Sequence, residues 1–382
     1  MKELKELPAG WRWVCIGEIC EFQYGKSLPE SNRASGNVAV YGSNGIVGFH
    51  EIALTTGPTI IIGRKGSIGQ IHFSPDPCFP IDTTYFVDRL RKDVDLQWFI
   101  YALHIASLDK LNKASGVPGL NREDAYKVSI PLLPLPEQRR IAALLTEQLA
   151  AVEQARKATE AQLEAVCALP ATYLREVFES EEAKKWPLHR ISDFAETCSG
   201  TTPSRSRADY FRGNIPWIKT TELKDGEITQ AEEYINDLAI KETSLKILPK
   251  GTLLIAMYGQ GKTRGRTGLL NIEATINQAC FAILAKSDVF DSRFLQMWFI
   301  RNYKRLRDES EFRGGNQPNL NGEILRNQQV CLPSIQKQKS LVIAYNDRIT
   351  FLKQLSSAVE NEAKLVNDLP SALFRQAFSG AI

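Results

Sequence analysis

The sequence lacks any apolar run long enough to cross a membrane. Its longest stretches, such as Thr59-Ile60-Ile61-Ile62 and Leu253-Leu254-Ile255-Ala256-Met257, are of strand length, against about 20 residues for a spanning helix. The start, Met1-Lys2-Glu3-Leu4-Lys5-Glu6, has no apolar core of the signal-peptide kind, so a cytoplasmic location is expected. Seven cysteines are an odd number with no Cys-x-x-Cys pair, and the four histidines are scattered. Neither a disulfide framework nor a metal site is indicated, and the thiols are expected to be reduced and mostly buried. Neither charge dominates: the net charge is only +3, so any nucleic-acid signal must be local. With 43% apolar and 24% charged residues the chain is of ordinary globular composition, which argues against disorder. At about 100 to 200 residues per domain, its 382 residues suggest two or three domains.

Catalytic signatures are also sparse. No Asn/Asp-Pro-Pro-Tyr/Phe tetrapeptide of the amino-methyltransferase type occurs, and no Phe-x-Gly-x-Gly cofactor loop follows the first strand. Glu181-Glu182 and Glu232-Glu233 read as solvated faces rather than acid/base pairs. The sharpest enzymatic motif is Ala256-Met257-Tyr258-Gly259-Gln260-Gly261-Lys262-Thr263, which satisfies a relaxed phosphate-loop pattern. It supports a rival reading, a P-loop nucleotide-binding protein using Gly261-Lys262-Thr263. A phosphate loop must run straight into a helix, whose N-terminal amides cradle the anion. The continuation Arg264-Gly265-Arg266-Thr267-Gly268 makes a poor first helical turn.

What is present is a duplication. Shifted by 200 positions, Gln97-Trp98-Phe99-Ile100 lies over Met297-Trp298-Phe299-Ile300, and Pro118 to Glu123 over Pro318 to Glu323. Gln138 then falls on Gln338, Leu169-Pro170 on Leu369-Pro370, and Phe178 on Phe378. Near the start of each half the shift is 175, with Trp11 over Trp186 and Gly25 over Gly200, so the second half carries 25 more residues, around Pro203 to Lys250. Two copies are too few for a solenoid and point to a pseudo-two-fold arrangement.

Residues from about 11 to 134 and 186 to 334 are rich in Gly, Pro, Thr and short β-branched runs, the composition of mixed α/β globules. A long stretch nearly free of Gly and Pro follows each. In the first, Leu145, Leu149, Val152, Arg156, Thr159, Leu163 and Val166 keep heptad spacing; in the second, Tyr345, Ile349, Leu352, Ser356, Val359, Ala363 and Val366 do. Mutual pairing of the two helices is the favoured reading, with each helix packed only on its own globule as the alternative. Pro170 and Pro370 are expected to end the long helices, with a short helix up to Phe178 or Phe378 after each.

The local basic signal lies in two glycine-rich loops behind strand-like runs. Glycine lets a backbone approach phosphate, Lys and Arg neutralise it, and Arg can also read guanine. The candidate DNA-binding residues are Arg64, Lys65 and Ser67 in the first half. In the second they are Arg205, Arg207, Lys219, Tyr258, Gln260, Lys262, Thr263, Arg264, Arg266 and Arg313. The basic run Arg301, Lys304, Arg305 and Arg307 reads as a solvated helix face. The repeated turns Gly116 to Asn121 and Gly315 to Asn321 read as structural, and discrimination is expected where the halves differ, at about 24–80 and 200–275.

Several segments together resemble the specificity subunit of type I restriction-modification enzymes. They are Trp186-Pro187-Leu188, Leu254 to Gly265, Ile276-Asn277-Gln278-Ala279-Cys280, Pro134-Leu135-Pro136-Glu137-Gln138-Arg139-Arg140-Ile141, and the closing Leu-Pro…Arg…Phe of each half. The resemblance spans the chain. The second copy departs by reading Gln336-Lys337-Gln338-Lys339 where the first has Pro136-Glu137-Gln138-Arg139.

The resemblance implies a mixed α/β fold: two pseudo-two-fold related target-recognition domains joined by two long antiparallel coiled-coil helices. The domains would be residues 1–136 and 181–336, the helical regions 137–180 and 337–382. It implies a non-catalytic reader of double-stranded DNA that binds two modification (methyltransferase) subunits, which restriction subunits can join. S-adenosylmethionine and ATP/Mg²⁺ would belong to those partners. A helix over about Glu137–Ala168 would run roughly 48 Å at about 1.5 Å per residue. Allowing for overlap, that length suits two major grooves about one DNA turn apart.

Overall fold

The computed structural model describes residues 7–111, 119–259, 261–311 and 320–381. The chain divides into two compact units, Met1–Ala161 with Glu360–Ile382, and Gln162–Val359. Both are mixed α/β, and each contains part of both long helices, Leu135–Glu179 and Ile335–Ala377. Among the described residues, no helix is long and apolar enough to cross a membrane. All seven cysteines are free thiols.

In the first unit an antiparallel sheet runs in the order Gln23–Tyr24, Thr84–Val87, Thr59–Gly63, Ile71–Ser74. The uninterrupted run Ile60-Ile61-Ile62 is explained by burial on both faces. Ile60 and Ile62 enter the main core with Trp98, Phe99, Tyr85 and Phe22, whereas Ile61 packs with Tyr41 and Cys78 of the other layer. That layer consists of Gly45–His50, Val38–Gly42 and Cys78–Pro80. A ribbon of Arg12–Cys15 with Ser129–Leu132 leads into the first long helix.

The second unit repeats this plan. Its sheet runs Thr197–Ser199, Cys280–Ile283, Leu253–Ala256, Thr267–Leu270, and the added length supplies a fifth, parallel edge strand, Gly226–Ile228. Leu253 and Ile255 face the core around Phe281, Phe294 and Trp298, while Leu254 and Ala256 face a second one around Ile218 and Ile276. The equivalent ribbon pairs Leu188–Arg190 with Gln329–Cys331.

The two long helices correct the sequence reading at one point. Neither ends at its proline: Pro170 and Pro370 lie inside continuous helices of 45 and 43 residues. An interior proline removes one backbone hydrogen bond and costs about 3 kcal/mol. Continuing the helix offsets this by carrying apolar side chains into a core. Beyond Pro170, Leu174 and Val177 are buried, and the Phe178 ring lies 5.3 Å from Phe294. Beyond Pro370, Ala377 and Phe378 are buried in the first unit, where Phe378 lies 6.1 Å from Trp98 and Phe374 5.6 Å from Tyr101. Within the first unit, therefore, the start of one long helix and the end of the other share a core; within the second, Tyr173 stacks on Tyr345, 6.1 Å apart.

The heptad positions are the shielded ones along both helices. Leu145, Val166, Leu352, Val359 and Val366 are buried, and Leu149, Val152, Leu163, Tyr345 and Ile349 are half-buried. Thr159, a polar member of the seam, is also buried, because its hydroxyl donates back to its own helix at Ala155 and Arg156 carbonyls. Arg156 turns to Glu153 and Glu160 of the same helix.

Candidate nucleic-acid interface

The two basic loops occupy the same place in the two units: each connects two antiparallel strands of the main sheet. The first joins Thr59–Gly63 to Ile71–Ser74 and is closed by Gly63 N–H donating to Gln70 C=O at 2.8 Å. Gly69 has φ +70°, and a Cβ there would meet the Asp109 amide nitrogen at 2.4 Å, so this turn requires glycine. The second joins Leu253–Ala256 to Thr267–Leu270, closed by Ala256 N–H to Arg266 C=O (2.9 Å) and Gly265 N–H to Ala256 C=O (2.8 Å).

That geometry overturns the P-loop alternative. Lys262 and Thr263 are followed by a strand that turns back along the first, not by the helix into which a phosphate loop must run.

The recurrent turns are structural where they are described. Leu120 N–H donates to Arg64 C=O (2.8 Å) and Leu320 N–H to Met257 C=O (3.0 Å), fixing the root of each loop. Asn121 and Asn321 then cap the short helices Arg122–Tyr126 and Gly322–Arg326. Residues 116–118 and 315–319 of these turns lie outside the described residues.

The candidate contact residues sort by what already holds them. Lys65 and Lys262 are exposed on their loops, Tyr258 is exposed, and Ser67 and Thr263 are half-buried. Ser67 Oγ lies 3.5 Å from Asn44 Oδ1, at the tip of a neighbouring hairpin. Gln260 and Arg313 lie outside the described residues. Arg264 is buried, and its carbonyl accepts a hydrogen bond from Arg307. Arg266 pairs with Asp225, which also accepts from the Thr267 amide and hydroxyl.

Arg205, Arg207 and Lys219 each meet a carboxylate of their own unit. Arg205 bonds Glu233 at 2.6 Å and lies over the Phe211 ring, and Lys219 reaches the same Glu233 at 2.9 Å. Arg207 bonds Asp209 at 2.7 Å and Glu242 at 3.2 Å. Hydrogen bonds from Arg205 and Lys219 hold the Glu233 carboxyl down to about 2. These cations are internally neutralised, and solvent-exposed pairs exchange partners at small cost.

Because Glu233 titrates lower folded than unfolded, its contribution to stability is present above about pH 4.5 and is lost as pH falls through about 2. Glu233→Gln should therefore lower stability at pH 7 by less than about 1 kcal/mol. Thermal melts should show that deficit vanishing toward pH 2.

Two residues with no earlier signal of their own complete the first loop's surroundings. The exposed Tyr24 ring lies 4.9 Å from the Arg64 guanidinium and 5.3 Å from that of Arg122. Arg64 also donates to the Asp82 carbonyl at 3.1 Å. Burial raises the Tyr85 hydroxyl above its ordinary range. Arg122 was hidden inside a repeated turn; the available clue is that its aligned counterpart is Gly322.

A model of the type I restriction-modification DNA specificity domain matches residues 8–165 and again 183–369. The chain is 28% identical over 202 residues to the type I restriction enzyme MjaIX specificity subunit of Methanocaldococcus jannaschii, covering 51% of this chain and 44% of that protein. To the MjaVIII specificity subunit of the same organism it is 20% identical over 425 aligned positions, 98% of this chain and 94% of the relative. The chain thus spans less than half of the first relative and nearly all of the second. Its fold matches a solved chain from a study of complex assembly and conformational transition in a type I restriction-modification system. The TM-score is 0.75 at 19% identity, covering 99% of this chain and 100% of that one.

Proposed function

Because the chain belongs to the family of the type I restriction-modification DNA specificity domain, we propose that it is the non-catalytic DNA-reading subunit of such a system. Each unit reads one half of a bipartite, asymmetric site on double-stranded DNA. The long helices space the two readers and dock two modification subunits, which restriction subunits join where a system has them. S-adenosylmethionine and ATP/Mg²⁺ act in those partners, and this chain selects the sequence.

One observation carries the reading: the same strand pair projects a basic loop twice, with unlike side chains. Arg64-Lys65-Gly66-Ser67 stands on one copy and Tyr258 with Lys262-Thr263 on the other. An identical scaffold with different contact groups suits two different half-sites.

The deciding experiment is single-molecule methylome sequencing of cells expressing this chain with its modification subunit, compared with cells lacking this chain. A split, asymmetric adenine-methylated motif that disappears on deletion is the expected result. An unchanged methylome would reject the assignment.

The loop contacts have their own test. Arg64→Ala with Lys65→Ala should weaken DNA binding by the assembled complex. If both residues meet phosphates, the slope of log affinity against log salt should become shallower by about 2. Unchanged affinity and slope would remove both residues from the interface.

A further inference from the structure

The Tyr24–Arg122 site belongs to the first unit alone. Tyr24 lies on the edge strand Gln23–Tyr24, paired directly with Tyr85, and the two rings are 5.1 Å apart edge to face. The Tyr85 hydroxyl is committed to the Leu120 carbonyl at 3.1 Å. The outer ring is therefore backed by a fixed one, while its own surface is half open. Tyr24, Arg64, Tyr85, Gly119, Asn121 and Arg122 line an open cavity of about 460 Å³ beside the loop that carries Lys65.

Arg122 is poorly satisfied by its own chain. Its Nε is shielded from solvent and has no hydrogen-bond partner. The Glu123 carboxylate is 3.7 Å from that nitrogen, beyond a hydrogen bond, and one Nη reaches the Phe22 carbonyl only at 3.5 Å. The guanidinium instead lies against rings, 5.3 Å from Tyr24 and 5.8 Å from Tyr126. A guanidinium has five donors in a rigid fork, matched to paired acceptors. Here most of that fork makes no hydrogen bond, and the rings of Tyr24 and Tyr126 lie beside it.

Among the described residues, the second unit does not repeat this tyrosine–arginine pair at the aligned positions. The aligned positions hold Gly322 for Arg122, Ser199 for Tyr24 and Arg326 for Tyr126. A feature present in one globule and absent from its twin can distinguish the half-sites, as a shared feature cannot.

We propose that Arg122, oriented by Tyr24, is a DNA-contact residue of the first unit alone, and that its fork takes a pair of acceptor atoms on DNA at this cavity. This rests on the reading of the chain as a DNA-specificity subunit. The acceptors are either the O6/N7 edge of a guanine or the oxygens of a backbone phosphate, and the two sources leave different traces.

The test uses the full complex with modification subunits, comparing Arg122→Ala, Arg122→Lys and the unaltered chain by methylome sequencing and by DNA binding across salt concentrations. For a guanine contact, Arg122→Ala relaxes one position of the first half-site with a roughly 10- to 100-fold loss of discrimination there. Arg122→Lys does not restore the preference. For a phosphate contact, Arg122→Ala weakens all sites alike, the salt slope falls by about 1, and Arg122→Lys restores most of the binding. Either result supports the site, provided that the second half-site is unchanged, which also shows the complex to be intact. If motif, affinity and slope all match the unaltered chain, or if the second half-site changes too, the proposal is overturned. Absence of any bipartite motif with the unaltered chain would instead reject the underlying reading.

Discussion

Exchanging the second globule for that of a relative with a different target is expected to change one half of the methylated motif and leave the other untouched. The physical basis is that each unit has its own core, and each basic loop is rooted by bonds within its own unit. A cut after residue 330 would divide the strand Gln329–Cys331 from its ribbon partner Leu188–Arg190. The exchange should therefore run from Trp186 to Ser334, so that both strands travel together. The incoming segment must also keep aromatics at 186 and 294, since Phe178 of the retained helix packs between them at 6.4 Å and 5.3 Å. A methylome in which both half-sites change would show that the two readers are not independent.

Gln138→Leu is expected to be the most damaging single substitution outside the apolar core. The Gln138 side chain is fully buried and makes three hydrogen bonds. It accepts from Asp95 N–H at 2.7 Å and donates to the carbonyls of Asp93 (2.9 Å) and Leu133 (2.8 Å). It ties the first turn of the long helix to the segment where Asp95 caps the helix Leu96–Ile105 through Trp98 N–H. Leucine fills the space but strands a buried amide and two carbonyls. At about 1–3 kcal/mol for a stranded group, with the carbonyls at the lower end, the loss is about 3 to 4 kcal/mol. For a unit of this size that corresponds to a fall of roughly 10 °C in the melting transition of the first unit. Gln338 makes the matching pair of bonds, accepting from Asp291 N–H (2.9 Å) and donating to the Pro333 carbonyl (2.8 Å). Gln338→Leu should therefore destabilise the second unit in the same way. Calorimetry of the full chain would separate the two, and a shift below about 1 °C for Gln138→Leu would refute the staple.

Much of this architecture was legible because duplication prints each structural requirement twice. The superposition of Gln138 on Gln338, and of Asn121 on Asn321, marked positions whose side chains bond the backbone. Heptad spacing located the shielded strip of both helices because it depends only on residues three and four apart. Local rules failed where distant residues decide. The continuation past Pro170 depends on Phe294, far along the chain, which receives Phe178. The state of Arg205, Arg207 and Lys219 depends on Glu233, Asp209 and Glu242, and Glu233 had looked like part of a solvated face. Arg264 sits in a loop whose composition suggests exposure, yet its side chain is buried. Arg122 meets Tyr24 only after the sheet and the short capped helix have formed.

The placement of Phe378 has a consequence for synthesis. The globule built from the first part of the chain is completed by Phe374, Ala377 and Phe378, near the far end of it. All of Gln162–Val359 is translated in between. At about 5–20 residues per second, that interval is roughly 10 to 40 s. Throughout it, the apolar surface around Trp98 and Tyr101 lacks its final cover, and the second globule is complete before that cover is made. The half that leaves the ribosome first is thus the last to finish, and a nascent chain is most open to chaperones at its older end.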